Sequence, residues 1–361
     1  MAVSAPFCLS SFWNHGMTFS NLRGAKRTIH MHGSINTKYA ASSWGLKVNV
    51  PAKVTVTRVG AIDSSSVIDL DVGRMVDRFI FRRNFDVRTY ETGPDRKVSI
   101  ETLMNILQET AINHIKAIGL LGDGLGLSPE MCKKNLIWVM GKMLVEVDSY
   151  PMCGDIIQVD TWKAAYGKIG MYSNWKLCDA KTGEILIRAS CVWLMMNTET
   201  RKLSKFPDEV RDEFDKYFVD TPPIVNYDNQ KWSTRNENTV HHVCHGLAPT
   251  WSDLDINQHV NNARYIGWIL KSVPRIILEK YEIVNMALEY CQECRNDNVL
   301  QSHTFVVGTN DDKLADNGHV ELEHLLELEI GSSGGGGEIM KGRTTWQSKH
   351  GKGAHRHRHF Q

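Results

Sequence analysis

The sequence predicts an α+β protein made of two similar halves, each a single helix wrapped by an antiparallel sheet. Runs of alternating hydrophobicity follow one another through short turns, which is the pattern of antiparallel strands. Each half places one amphipathic helix ahead of its strands. A lone helix buries its apolar stripe efficiently only if the sheet curls around it, so both halves converge on the same plan. The halves share this order of elements more than they share residue identity.

The chain has 361 residues, 42% hydrophobic and 23% charged, which suits a globular protein of about two domains. Its formal charge of +1 is unevenly spread. Residues 1–62 contain no Asp or Glu but seven basic residues, from Arg23 to Arg58, and are rich in Ser and Thr. This is the composition of an organellar transit peptide, expected to be disordered; a plain basic tail is the alternative. Without it the charge is +1 minus 7, or −6, a mildly acidic body that lacks the basic face of a nucleic-acid-binding protein. No apolar run approaches the roughly 20 residues of a transmembrane helix. The eight cysteines are scattered and read as reduced thiols. Cys291 and Cys294 form a lone C-x-x-C without the second ligand pair of a structural zinc site, so neither metal nor cofactor is expected. Both fall in an alternating apolar stretch, where positions three apart face opposite sides of a strand.

Residues 63–78 read as a linker, and 81–90 alternate as a first strand. Residues 99–118 form a helix, because Leu103, Leu107, Ala111, Ile115 and Ile118 recur at three- and four-residue steps. Ser99 suits its N-cap, Glu101 its positive end and Gly119 its termination. Strands follow at 135–147, 155–166, 170–178 and 185–196, with 179–183 as a turn. The polar stretch 198–240, with Pro207, Pro222 and Pro223, connects the halves. A strand at 243–249 then leads to a helix at 262–272, stopped by Pro274. Strands at 284–291, 300–307, 319–330 and 338–347 complete the second half, the third with Val320, Leu322, Leu326, Leu328 and Ile330 on one face. The expected domains are 79–215 and 241–348, joined by 216–240. The His-containing tail 349–361 has nothing apolar to fix it and is expected to be disordered.

The most informative stretch runs from Trp251 to Trp268. Asp255, Asn257 and His259 are spaced by two, so an extended backbone would present them on one face while Leu254, Ile256 and Val260 anchor the other. They precede a helix whose free N–H groups can receive a developing oxyanion. The plain reading is an Asn/Asp-rich helix start. The chemical reading is an acid, an amide and an imidazole gathered around a carbonyl.

This stretch resembles the plant acyl-ACP thioesterases of the B-type, saturated-chain class (ACP, acyl carrier protein). So do Gly122-Asp-Gly-Leu-Gly126, Pro129-Glu-Met-Cys-Lys-Lys-Asn-Leu-Ile-Trp138, Tyr150-Pro151 and Gly154-Asp-Ile-Ile-Gln-Val-Asp-Thr-Trp162. The likeness continues through Arg188-Ala-Ser, Val192-Trp193, Met195-Met-Asn197, Arg201-Lys-Leu-Ser204, Leu288-Glu-Tyr290 and Glu293-Cys294, and spans about 79–348. It implies a double hot-dog fold, a chloroplast stromal location and hydrolysis of acyl-ACP to free fatty acid. It also implies acyl-ACP as partner and suggests a homodimer. The catalytic residues it implies are Asp255, Asn257, His259 and Glu293 in the second hot dog, with Cys294 a debated member. The first hot dog would hold the acyl-chain pocket, with Leu103, Ile106, Leu107 and Trp138 either lining it or serving as core. The first half has no D-x-N-x-H in residues 90–98, so one active site per chain follows.

Two chemical schemes fit these residues. In one, Asp255 attacks or steers water, Asn257 and His259 polarise the carbonyl, and Glu293 activates the hydrolytic water. In the other, Cys294 is a thiolate nucleophile paired with His259, or else simply a small core residue. Two departures from the family pattern bear on carrier docking, because ACP is acidic. Tyr172-Ser173-Asn174 stands in place of two basic residues and an acid, and Cys291-Gln292 in place of two arginines. Lys133, Lys134, Arg201, Lys202 and Lys205 are candidate substitutes for that charge, or ordinary solvated surface. The functional alternatives are an acyl-CoA thioesterase and a non-catalytic acyl-ACP-binding paralogue.

Overall fold

A computed structural model describes residues 72–122, 126–226, 241–255, 259–307, 318–329 and 337–349. Residues 1–62, expected to be a transit peptide, most of the linker before residue 72, Asn257, Ile330 and the tail beyond Lys349 lie outside the described residues. The first half contains β1 (Arg74–Met75), β2 (Phe81–Asp86), α1 (Ile100–Ala117), α2 (Pro129–Lys133) and β3 (Leu136–Val147). It continues with β4 (Ile156–Tyr166), β5 (Gly170–Asp179), β6 (Ile185–Asn197), β7 (Leu203–Ser204) and α3 (Asp208–Phe214). The second half contains β8 (His241–Leu247), α4 (Asn262–Leu270), α5 (Arg275–Lys280), β9 (Tyr281–Tyr290), β10 (Leu300–Val307), β11 (His319–Leu328) and β12 (Glu338–Ser348).

The pairings explain why two similar halves arise. Strand order is β1-β2-β4-β5-β6-β3-β9-β12-β11-β10-β8, every described pairing along it antiparallel, with β7 added beside β6. The order β2-β4-β5-β6-β3 recurs in the second half as β8-β10-β11-β12-β9. Corresponding strands β3 and β9 meet in the middle, where residues 142–146 pair with 285–289. Two hot-dog sheets, each around its own helix, are thus hydrogen-bonded into one α+β double hot dog.

Each helix is placed by its caps and held by its apolar stripe. The Ser99 hydroxyl accepts from the Thr102 N–H at 3.1 Å at the start of α1, and Gly119, at φ +75°, follows its end. Ile100, Leu103, Met104, Leu107, Ala111 and Ile115 are buried along it. Asn261 caps α4 by accepting from the Ala263 N–H at 3.0 Å, and Tyr265, Ile266, Trp268 and Ile269 are buried. A fully buried Leu or Ile side chain contributes about 1.5–3 kcal/mol, so these stripes dominate the packing of both helices.

Four local expectations need correction. The linker holds the short strand β1, which pairs with β2. The polar connection hides α3, whose Val210 and Phe214 are buried; its seven residues are too few to show a helical period. Pro274 begins a helix as well as ending one, since α5 starts at Arg275, as proline's fixed φ allows. The C-x-x-C is not carried by a strand: β9 stops at Tyr290, and Cys291 and Cys294 lie in the loop that follows.

The buried interior of the second half contains a polar ladder. The Ser272 hydroxyl lies 2.8 Å from those of Ser302 and Thr304, and His324 bridges Thr304 (3.0 Å) and Thr344 (2.8 Å). Burial pushes the His324 imidazole from 6.5 down to about 3. Its neutral form is therefore the folded form, and its contribution to stability is complete above pH 6.5 and lost as pH falls toward 3. Urea denaturation as a function of pH is expected to show about 1.4 kcal/mol lost per pH unit from this group, and His324→Gln to remove that slope.

Candidate active site

The chain around Asp255 does not run extended. Leu254 bridges Val260 in antiparallel fashion, the Asp255 N–H donates to the His259 carbonyl at 2.7 Å, and the Asp255 Oδ1 accepts from the His259 N–H at 3.0 Å. A tight loop thus brings the ends of the D-x-N-x-H motif together, and its carboxylate closes the turn that presents the imidazole. The short-side-chain acid favours such local bonding over a strand ladder.

The first half repeats this loop at a constant offset. Thr92 bridges Val98 as Leu254 bridges Val260, and Gly93 donates to Lys97 at 2.9 Å as Asp255 donates to His259. Ser99 donates to Glu91 at 3.0 Å, as Asn261 does to Asp253 at 2.8 Å. The ends of the two loops are bonded alike but differ in chemistry, because the same sequence offset sets Gly93, Asp95 and Lys97 against Asp255, Asn257 and His259. Lys97 pairs with Glu282, and Asp95 with Lys349 at 3.0 Å, so the first loop carries structural ion pairs.

His259 meets two charged groups. Its Nε2 is 3.3 Å from Glu293 Oε1 and 3.0 Å from Arg201 Nη2, and Arg201 also contacts Glu293 directly. Glu293 comes from the loop after β9, whereas Arg201 comes from the tight turn between β6 and β7 in the first half. Arg201 stands at φ +56°, a conformation costly for a residue other than glycine. Such strain persists where the surroundings enforce it and is concentrated at functional positions. Sequence reading grouped Arg201 with the surface cations and missed this contact. The only local signal was its place in the Arg201-Lys-Leu-Ser204 motif.

Arg201, Asp255, His259 and Glu293 stand at one part of a cavity of about 570 Å³. Elsewhere it is walled by Ala111, Ile112, Ile115, Trp138, Met171 and Trp193. Trp138 is therefore a wall residue as well as core, whereas Leu103, Ile106 and Leu107 are buried away from it. The Asn262 amide donates to Gln108 Oε1 at 2.7 Å, tying α4 to α1 beside the cavity. Tyr265 and Tyr290 form an edge-to-face pair behind the loop, and the Tyr290 hydroxyl donates to the Asn262 carbonyl at 3.1 Å.

Cys294 is buried at 2% exposure and does not line this cavity. Its N–H donates to the Tyr265 oxygen at 3.3 Å, and its thiol donates to the Arg295 carbonyl at 3.4 Å. Burial, then the charges of Glu293 and Asp297, pushes the thiol up to about 12. Asn257 lies outside the described residues. The departures from the family pattern separate into two groups. Ser173 and Asn174 are fully buried and so cannot form a carrier-docking surface, while Cys291 and Gln292 line the cavity. Of the candidate cations, Lys133 pairs with Glu130 at 2.5 Å and Lys134 with Glu209 at 3.1 Å.

A double hot dog with a paired carboxylate and imidazole beside an acyl-sized cavity is the build of a thioester hydrolase. Two family models match it: the acyl-ACP thioesterase N-terminal domain over residues 78–214 and the C-terminal domain over 236–348. The chain belongs to the acyl-ACP thioesterase family, in its B-type plant class. It is 52% identical over 288 residues to a chloroplastic palmitoyl-acyl carrier protein thioesterase of Gossypium hirsutum, covering 79% of this chain and 68% of that one. With the same enzyme of Arabidopsis thaliana the identity is 53% over 279 residues, covering 77% and 66%. The matched stretch therefore spans about two thirds of these relatives. The structure superposes on the 12:0-ACP thioesterase of Umbellularia californica with a TM-score of 0.68 at 42% identity, covering 75% of this chain and 94% of that one.

Proposed function

We propose that this plastid enzyme hydrolyses fatty acyl-ACP to free fatty acid and ACP through Glu293, His259 and Arg201. The carrying observation is that these three side chains, from both halves, meet at the wall of one acyl-sized cavity. Glu293 takes a proton from water as the water oxygen bonds to the acyl carbon. Negative charge then gathers on the carbonyl oxygen, where the Arg201 guanidinium and the Asn257 amide stabilise it. Collapse breaks the C–S bond, and the Glu293–His259 pair returns the proton to the leaving thiolate. Asp255 steers the reaction by holding the His259 loop closed. The stroma is the compartment, and a homodimer the assembly, that we propose with this activity.

The water route is preferred to a Cys294 thiolate because the buried thiol is held protonated and bonds to a backbone carbonyl. Cys294→Ala is accordingly expected to keep kcat within about threefold of wild type, since a small buried residue is replaced by a smaller one; loss of turnover with the fold intact would restore the thiolate scheme. The carrier is tested by supplying one acyl chain on ACP and on coenzyme A to the purified chain and measuring free acid. Faster release from ACP supports the proposal, and equal or faster release from coenzyme A opposes it.

A further inference from the structure

Part of the cavity wall carries hydrogen-bond donors that a plain alkyl chain cannot use. Lys163, on β4, is fully buried and lines the cavity. Its Nζ lies 3.3 Å from Ser173 Oγ, its cross-strand neighbour, and it forms no ion pair among the described residues. Ser173 already accepts a hydrogen bond from Trp193 Nε1 at 3.1 Å. Trp138 Nε1, in the same wall, is buried without a partner among the described residues. Burial pulls the Lys163 amine from 10.5 down to about 8, the response of a charge held without compensation. It also depresses the neighbouring buried His114, which the Lys163 charge pushes in the same direction. Buried donors of this kind lose their hydration and regain it only from an acceptor.

The location of Lys163 matters as much as its burial. Register carries Lys163 to Ser173, Cys191, Met143 and Leu288, so β4 stands four strands from β9. That is on the order of 19 Å along the curved sheet. Glu293 follows β9, so a thioester placed there leaves the remote part of its chain on the side of Lys163. The same wall carries the apolar side chains of Ala111, Ile112, Ile115 and Met171. An oxygen on the chain would be desolvated against these apolar side chains and rebonded at Lys163.

We infer that this cavity accepts fatty acyl chains bearing an oxygen acceptor, a hydroxyl or oxo group, remote from the thioester, and that Lys163 recognises that oxygen. The inference rests on reading the cavity as the acyl site of the hydrolase. Its test uses the purified full chain with ACPs carrying acyl groups of one length, either unsubstituted or with one hydroxyl at successive carbons, in direct competition. The released acids are quantified. The ratio of hydroxylated to unsubstituted product is expected to peak at one remote position, about tenfold above its neighbours, as for a hydrogen bond to a charged group. Lys163→Met is expected to flatten that peak. A monotonic ratio in the wild type, or a peak that survives in a folded Lys163→Met, would overturn the inference. The wild-type scan decides the matter even where the variant does not fold. Release of no acid from the unsubstituted chains would instead overturn the hydrolase reading itself, and this inference with it.

Discussion

Glu293→Gln is expected to lower kcat for acyl-ACP hydrolysis by about 10²–10⁴-fold, the usual contribution of a positioned general base. The substitution keeps the shape of the side chain and its capacity to accept a hydrogen bond from Arg201, so packing of the loop after β9 should survive. What disappears is the group that takes the water proton. Acyl-ACP binding, followed by fluorescence or calorimetry, should change far less than turnover, because the acyl chain is held by the cavity wall and not by the carboxylate. A matching rise in KM with kcat unchanged would place Glu293 in binding instead.

Arg201→Met is expected to lower kcat by about 10²–10³-fold, the size found when one donor to a developing oxyanion is removed. Arg201 reaches both Glu293 and His259 Nε2 with one nitrogen, so its loss leaves a half-buried carboxylate and imidazole facing each other without a cation. Arg201→Lys is not expected to restore the rate, since an ammonium on a flexible stem does not reproduce the planar guanidinium at a strained turn. Full recovery with lysine would reduce the role of Arg201 to bulk charge.

The fold was legible where periodicity and caps agree. Ser99, the stripe from Leu103 to Ile115 and Gly119 delimit α1 within a residue of its observed span, and 300–307 coincides with β10. Short elements escaped: α3 and α5 bury only Val210 and Phe214 in one case and Ile277 in the other, which is too little to register as a pattern. Of the site, His259 and Glu293 could be named from the motifs, but their 3.3 Å approach could not, since it depends on the β9 loop folding back toward the start of α4. Arg201 was hidden for a different reason. It comes from the other half of the molecule, and only the pairing of β3 with β9 brings the two halves into register. Lys163 looked like any lysine in an alternating strand, and only the closed sheet shows that its amine is inside.

The claim that residues of both halves form one hydrolytic unit is tested most directly by a double-mutant cycle on kcat for acyl-ACP, using Arg201→Met, Glu293→Gln and the pair together. Residues acting as a unit give non-additive losses, so the double variant should be no slower than the slower single variant by more than a few fold. Losses that multiply would mean that Arg201 and Glu293 act independently, and would contradict a site shared across the junction.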